Sequence, residues 1–337
     1  MKSKLFLFVI LVAWATTSNA AIWRVNNMSG ADPDFVTIQG AIDSVSPGDI
    51  LYVEGGIYDG FTLNKPLSII GSGFGNMDNS EVETPLNPTQ ISSDVYLVPG
   101  AQGSYITGCN LKNAGAVLYL QTTDIIISRC NLYYTYFKTL MNNYKTNIGN
   151  VSFSGSIIKA LLLNNDGIDD TLCVSNVNIS NSVITGRIFL NSYENDYSFS
   201  GTFNQCVFLT NNIITTQCLY KNSIFYADDY SSASQIDDGF NNSTSYCIYL
   251  YNYTLGFGES NCLSGITDLF STGGYNTLSD TTPAKGFGDH GQDVGIYGGD
   301  NPFVPGGYAP VPTITKLNMP TQVNGTIHLN MKAKVLK

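Results

Sequence analysis

Charge is scarce in this chain. Of 337 residues only 12% are charged, and 16 basic against 26 acidic side chains leave a formal net charge of −10. Three arginines occur, Arg24, Arg129 and Arg187, so the Lys/Arg surface that a phosphate backbone requires is missing and nucleic acid is excluded as a partner. Histidine stands only at positions 290 and 328, near the C-terminus, which leaves a mid-chain nucleophilic triad or a Cys/His zinc site without material. No cysteines have C-x-x-C spacing, and no segment reaches the roughly 18 consecutive apolar residues of a membrane-spanning helix. What remains is abundant: 43% hydrophobic residues, 33 Gly, 21 Tyr and many Asn and Ser. That apolar content excludes wholesale disorder, and the bias toward turn and strand formers over helix formers predicts a mostly β fold.

Lys2 and Lys4 precede an apolar run from Leu5 to Ala15, and Ser18-Asn19-Ala20 closes it with small-x-small spacing. Residues 1–20 therefore read as a secretory signal peptide, with Ala21 as the new N-terminus and an extracellular or cell-surface destination, the periplasm being the alternative. A buried N-terminal core helix is the rival reading. Without Lys2 and Lys4 the chain carries 14 basic and 26 acidic residues, a net charge of −12.

A short pattern recurs six times: Ile106-Thr-Gly-Cys-Asn-Leu111, Ile127-Ser-Arg-Cys-Asn-Leu132, Phe153-Ser-Gly-Ser-Ile-Ile158, Ile179-Ser-Asn-Ser-Val-Ile184, Phe203-Asn-Gln-Cys-Val-Phe208 and Tyr220-Lys-Asn-Ser-Ile-Phe225. With the Cys or Ser as position zero, successive copies lie 21, 26, 26, 24 and 17 residues apart, the period of one β-solenoid coil. Positions −3 and +2 are always large and apolar or aromatic. Strict alternation would bury position −1, yet Gly108, Arg129, Asn181, Gln205 and Asn222 make poor core residues. The chain must bend there, in a left-handed conformation that Gly and Asn tolerate, so that zero and +2 again point inward. Cys109, Cys130 and Cys206 then share an inward column with Ser156, Ser182 and Ser223, where size rather than redox chemistry is selected. Buried free thiols are expected, with a bond between the vertical neighbours Cys109 and Cys130 as the alternative.

Ahead of the repeats, Phe35, Ile38, Ala41, Ile42 and Val45 share one helical face, with Asp34 or Thr37 as N-cap and Pro47-Gly48 as the stop. The exposed end of a solenoid is where such a helix can bury that face. Phe35-Val-Thr-Ile-Gln-x-Ala-Ile-Asp, Gly48-Asp-x-Leu-Tyr-Val, Gly56-Ile-Tyr58 and Leu63-Asn-Lys-Pro-Leu-Ser-Ile-Ile-Gly71 closely resemble the opening of pectin-lyase-like right-handed parallel β-helix proteins. Asp268-Leu-Phe, Thr282-Pro-Ala-Lys-Gly286 and Asp293-Val-Gly-Ile-Tyr-Gly-Gly299 resemble the closing segment of exported β-helix repeat proteins common in Bacteroidetes. The resemblance spans roughly residues 21 to 300 and implies the fold. That fold hosts lyases, hydrolases, esterases and adhesins, so it does not choose among functions. Beyond it, Pro302, Pro305, Pro310 and Pro312 favour an extended run, and Thr326 to Leu336 alternates like a half-buried strand, a wrap or closing strand along the solenoid, with a sorting signal as the alternative.

The family's lyases use clustered carboxylates for calcium and an Arg or Lys base. Here only Arg129 and Arg187 lie within the coils, and no Asp-x-Asp ladder accompanies them. The hydrolases' Asn-Thr-Asp, Gly-His-Gly and Arg-Ile-Lys signatures are absent. The carboxylate clusters Asp166/Asp169/Asp170, Asp228-Asp229 and Asp237-Asp238 sit among turn residues, where they serve loop hydrogen bonds or hold structural calcium. Tyrosines recur near coil edges, and outward rings of this kind either stack on sugar faces or cover strand edges.

The sequence thus predicts an all-β protein, a single right-handed parallel β-helix with an N-terminal capping helix. Its divisions are residues 1–20 (signal peptide), 21–300 (β-helix with cap) and 301–337 (Pro-rich extended tail and closing strand). It reads as an exported, monomeric, non-catalytic protein, surface-associated or glycan-interacting, with Tyr133, Tyr134 and Tyr136 as glycan-binding candidates. The alternative is a polysaccharide lyase or glycoside hydrolase acting on an extracellular polysaccharide. No metal ligand set and no cofactor is expected, apart from structural or catalytic calcium; the expected partner is a polysaccharide or cell-surface glycan.

Overall fold

The computed structural model describes residues 20–75, 87–112, 115–139, 145–164, 171–190, 197–210, 212–226, 241–250, 258–271, 277–308, 312–318 and 330–335. Residues 1–19, nearly all of the expected signal peptide, and the Asp166, Asp228 and Asp237 clusters lie outside them. Eleven strands from Ile22–Val25 to Gly258–Ser260 stack in chain order into one sheet, every pairing parallel. A second, fourteen-stranded sheet folds into two faces. One runs from Gly56–Tyr58 to Ile248–Tyr249 and the other from Thr62–Leu63 to Ile213–Thr215; they join where Asn131–Lys138 and Ile157–Asn164 run across both. From the coil that begins at Ile50–Val53 to the one that ends at Ile213–Thr215, each coil therefore contributes to all three faces. This is the expected single right-handed parallel β-helix, with the hand that parallel crossovers take.

The repeat columns behave as their chemistry requires. Positions −3, zero and +2 are buried in all six copies, from Ile106, Cys109 and Leu111 to Tyr220, Ser223 and Phe225. Position −1 has positive φ throughout: Gly108 at 70°, Arg129 at 50°, Gly155 at 56°, Asn181 at 46°, Gln205 at 58° and Asn222 at 49°. Two further coils repeat the bend at Tyr246-Cys247 and Asn261-Cys262, with φ of 53° and 54°. Thr244 and Glu259 replace the aromatic or aliphatic residue at −3 there, which hid both copies in the sequence.

The choice of Ser or Cys at zero has a reason beyond size. The Ser156, Ser182 and Ser223 hydroxyls donate to the carbonyls of Ser154, Ser180 and Lys221 at 3.0, 2.7 and 2.8 Å. The same hydroxyls accept from the amides of Cys130, Ser156 and Cys206 one coil earlier, at 3.1, 3.2 and 3.1 Å. Cys130 and Cys206 thiols reach the carbonyls of Ser128 and Asn204 at 3.2 and 3.5 Å. The small donor satisfies backbone groups that the bend removes from the ladder, which would otherwise be buried unpaired. All seven cysteines are free thiols.

Helix α1, Ile38–Ser44, caps the first coil. Thr37 is its N-cap, the Oγ1 accepting from Gly40 N at 3.1 Å, and Ile38, Ala41 and Ile42 are buried against the coil. Asp49 holds the first strand in place: its carboxylate accepts from Ala21 N, Trp23 Nε1 and Ser46 N at 2.9, 2.9 and 3.0 Å. The Trp23 bond leads in holding its pKa below the ordinary carboxylate value.

The C-terminal third holds what the sequence pattern did not reveal. Leu263 makes the last bridge to a coil, and residues 277–308 then return along the outside of the solenoid as a strap over the bends. Position +1, expected to face outward, is Ile157, Val183, Val207, Ile224 and Ile248 in five successive coils. These are buried beneath Ala284, Val294, Ile296 and Phe303 of the strap, forming a second hydrophobic core. The bend side chains hold the strap in place. Asn222 Oδ1 accepts from Asp289 N at 2.8 Å, and Gln205 Nε2 donates to Gln292 Oε1 at 3.2 Å. Asn181 Nδ2 donates to the carbonyls of Ile296 and Gly298 at 3.1 and 2.8 Å, and Arg129 Nη1 to that of Tyr308 at 2.8 Å. Lys221 pairs with Asp289. Past the strap, Pro312–Asn318 and Asn330–Val335 pair antiparallel with each other, so the strand expected near the C-terminus finds its partner within the tail.

Candidate glycan-binding site

On the third face the strands read Val95-Tyr96-Leu97, Leu118-Tyr119-Leu120 and Thr135-Tyr136-Phe137, with the flanking residues buried and the tyrosine outward. Register places Tyr96, Tyr119, Tyr136, Leu162, Phe189 and Ile214 in one column, below which stands Thr62. The three rings stack: Tyr96 on Tyr119 with centroids 4.8 Å apart and planes 10° off parallel, Tyr119 on Tyr136 at 5.7 Å and 17°. Tyr134 lies 6.3 Å from Tyr136, and Tyr133 meets Tyr134 edge-on at 4.5 Å. Tyr133, Tyr134 and Tyr136 thus lie together, Tyr133 at the corner where the strand passes from the second face to the third. Tyr96 and Tyr119, each the single tyrosine of its strand, complete the stack and were not among the candidates.

A sugar stacks on the face of a ring, so the decisive geometry is which faces are already covered. Tyr119 has a ring on each side. Tyr136 has Tyr119 on one side and Tyr134 close by. The Lys159 ammonium sits 4.0 Å from the Tyr133 centroid and 5.8 Å from that of Tyr134, and the Lys138 ammonium 4.8 Å from that of Tyr119. The rings singled out from the sequence are therefore mainly engaged with one another and with lysines. Tyr96 ends the stack: beyond it, toward Thr62, opens a cleft of about 570 Å³ that Tyr96 itself lines.

The cleft walls are polar and held in place by backbone bonds. Gln39 of α1 ties the helix to the first strand of the third face, its Oε1 accepting from Thr62 N at 2.8 Å and its Nε2 donating to Asp43 Oδ1 of the same helix at 2.8 Å. Ser93 Oγ accepts from Gly60 N at 2.8 Å, and Asp94 Oδ1 from Val117 N at 3.0 Å. Gly60 has no alternative, since a Cβ there would stand 2.0 Å from the Asp94 carbonyl oxygen. A neighbouring cleft of about 270 Å³ shares Gln39, Gly60 and Ser92 with the first. Asp59 lies on its wall, its Oδ1 accepting from Ser92 Oγ at 3.4 Å, and Val36 and Ile57 stand exposed beside it.

Neither arginine of the coils reaches this region as a base. Arg129 holds the strap, burial lowering its pKa, and Arg187 is exposed one coil beyond Lys159. Asp124 accepts from Thr123 Oγ1 at 2.5 Å and Asn150 Nδ2 at 2.8 Å, and Asn176 Nδ2 donates on to Asn150 Oδ1 at 2.6 Å, an asparagine ladder at a second set of left-handed bends. Among the described residues no three His, Cys, Asp or Glu side chains converge as metal ligands.

No family model matches this chain. No curated protein matches it by sequence either. Among solved structures it is similar to the pectin methylesterase of Aspergillus niger in a penultimately deglycosylated form, at 16% identity over 74% of this chain and 88% of that one, with a TM-score of 0.38. It is also similar to pectin methylesterase from carrot, at 11% identity over 81% and 92%, with a TM-score of 0.33. No helix among the described residues is long and apolar enough to cross a membrane.

Proposed function

We propose that this protein is an exported, monomeric β-helix that binds a polysaccharide without turning it over, and that the sugar docks in the cleft beside Tyr96. The observation that carries this reading is the position of Tyr96, the terminal ring of a tyrosine stack and the wall of a cleft rimmed by amide, hydroxyl and carboxylate groups. A ring face gives apolar contact with the C–H face of a pyranose, while Gln39, Ser93 and Asp94 supply hydrogen bonds to hydroxyls. The stack behind it, clamped by Lys138, fixes the orientation of Tyr96 before any ligand arrives, which lowers the ordering cost of binding. Tyr133, Tyr134 and Tyr136 act in this reading as support for the platform.

A second reading, a polysaccharide lyase or glycoside hydrolase, has one observation in its favour. Asp59 and Asp94 put a carboxylate on the wall of each of two clefts that share Gln39, Gly60 and Ser92, and paired carboxylates are what glycoside hydrolysis uses. A glycan array followed by titration of the retained oligosaccharides separates the two. Saturable binding with no new reducing ends and no absorbance from unsaturated products is the expected result; turnover of any bound polysaccharide would replace the first reading with the second.

A further inference from the structure

The inward column contains two vertical pairs of cysteines. Asn110 and Asn131 are register partners, which sets Cys130 directly on Cys109, and the parallel bridge between Ile248 and Leu263 sets Cys262 on Cys247. The other three have no cysteine above or below. Cys173 lies between Asn147 and Ser198, Cys206 is between Ser182 and Ser223 in the column, and Cys218 pairs with Gly201. Neighbouring strands stand about 4.8 Å apart, inside the Cα range that a disulfide spans.

The two pairs differ in access. Cys109 and Cys130 are buried in mid-solenoid, at 1% and 0% exposure. Cys247 is equally buried, but Cys262 is partly exposed on the last bend, next to the final strand of the eleven-stranded sheet. Its Sγ lies 3.6 Å from the Ser260 carbonyl and 3.7 Å from Thr244 Oγ1.

We propose that Cys262 and Cys247 form an attacking and resolving thiol pair, which a small-molecule disulfide oxidises to a bond stapling the last two coils. The electronics agree with this division of roles. The hydrogen bond from Cys247 leads in lowering the Cys262 pKa to about 6, so its thiolate prevails at neutral pH, whereas burial raises that of Cys247. In the first step the Cys262 thiolate attacks one sulfur of the external disulfide, forming a mixed disulfide and releasing one thiolate. In the second, Cys247 gives up its proton and its sulfur attacks Cys262 Sγ, expelling a second thiolate that takes the proton. Two protein thiols are oxidised and one external disulfide is reduced to two thiols. The staple falls where a solenoid frays first, at the coil with a neighbour on one side only. This inference is independent of the glycan reading.

Native protein, fully reduced and then incubated with oxidised glutathione, tests it by peptide mapping after denaturation and alkylation. Five of the seven cysteines are expected to be alkylated, with a Cys247–Cys262 cross-link accounting for the other two. The Cys247→Ser variant, which places in this coil the residue that Ser156, Ser182 and Ser223 supply in others, is expected to retain one glutathione on Cys262 because nothing resolves it. Seven alkylated cysteines in the wild type, a cross-link at Cys109–Cys130 instead, or a glutathione retained on wild-type Cys262 would overturn the proposal. Should Cys247→Ser not fold, the wild-type map decides alone.

Discussion

Two outward-facing columns of the same solenoid meet opposite fates. On the second face, the column Ile157, Val183, Val207, Ile224 and Ile248 is covered by the strap and buried. On the third face, the column Tyr96, Tyr119 and Tyr136 remains half-exposed and its rings cover one another. Aliphatic side chains have no use for water, so their column needs a partner segment. Tyrosines keep a hydroxyl at the surface and satisfy their faces by stacking, so theirs can stay uncovered. One side of the coil is completed by the chain itself, and the other ends in a ring at the wall of a cleft.

Removing the strap breaks the comparison most severely. A chain ending before Leu278 would expose five aliphatic side chains, each contributing about 1.5–3 kcal/mol by burial. Their sum rivals the whole stability of an ordinary domain, about 5–15 kcal/mol. The expected outcome is loss of cooperative melting by circular dichroism; a sharp transition near the wild-type temperature would show that the second core is dispensable.

Asn181 sharpens the same contrast, because it combines a left-handed bend with two bonds to the strap. Asn181→Gly keeps the bend and loses the bonds, at about 1–2 kcal/mol in urea unfolding. Asn181→Ala loses the same bonds but keeps a Cβ at φ 46°, where glycine carries none, and is expected to cost about 1 kcal/mol more than Asn181→Gly. Equal losses for the two variants would mean that the bend carries no conformational demand.

A smaller effect follows from Asp289. Its bond with Lys221 leads in holding its pKa below the ordinary carboxylate value. A depressed folded-state pKa gives stability that is present above the unfolded-state value and lost as pH falls through the folded one. Limited proteolysis between residues 277 and 308 should therefore accelerate only below the usual carboxylate range, and less so in Asp289→Asn. An acceleration between pH 6 and 8 would assign the latch to another group.

Much of this fold was legible because the bend is local. Position −1 had to be a residue unsuited to a core, and Arg129, Asn181, Gln205 and Asn222 all adopt the left-handed conformation that follows. Helix α1 and its Thr37 cap were legible for the same reason. The strap was not, because its partners lie up to 179 residues away, as Arg129 and Tyr308 do. The change at position +1 from Asn110 and Asn131 to five aliphatic residues was its trace. The site was half legible. Clustering singled out Tyr133, Tyr134 and Tyr136, whereas Tyr96 is a lone tyrosine between Val95 and Leu97, and only register joins it to the others.

The central claim is that sugar binds at the end of the tyrosine stack and not along it. The most direct measurement is titration of Tyr96→Ala and Tyr136→Ala, beside the wild type, with an oligosaccharide retained on the array. Loss of a base- or sugar-stacking ring costs about 1–3 kcal/mol where the ring is the platform, so Tyr96→Ala should weaken binding roughly ten- to hundredfold. Tyr136→Ala, which removes only a supporting ring, should stay within about threefold. Tight binding retained by Tyr96→Ala and lost in Tyr136→Ala would contradict the account.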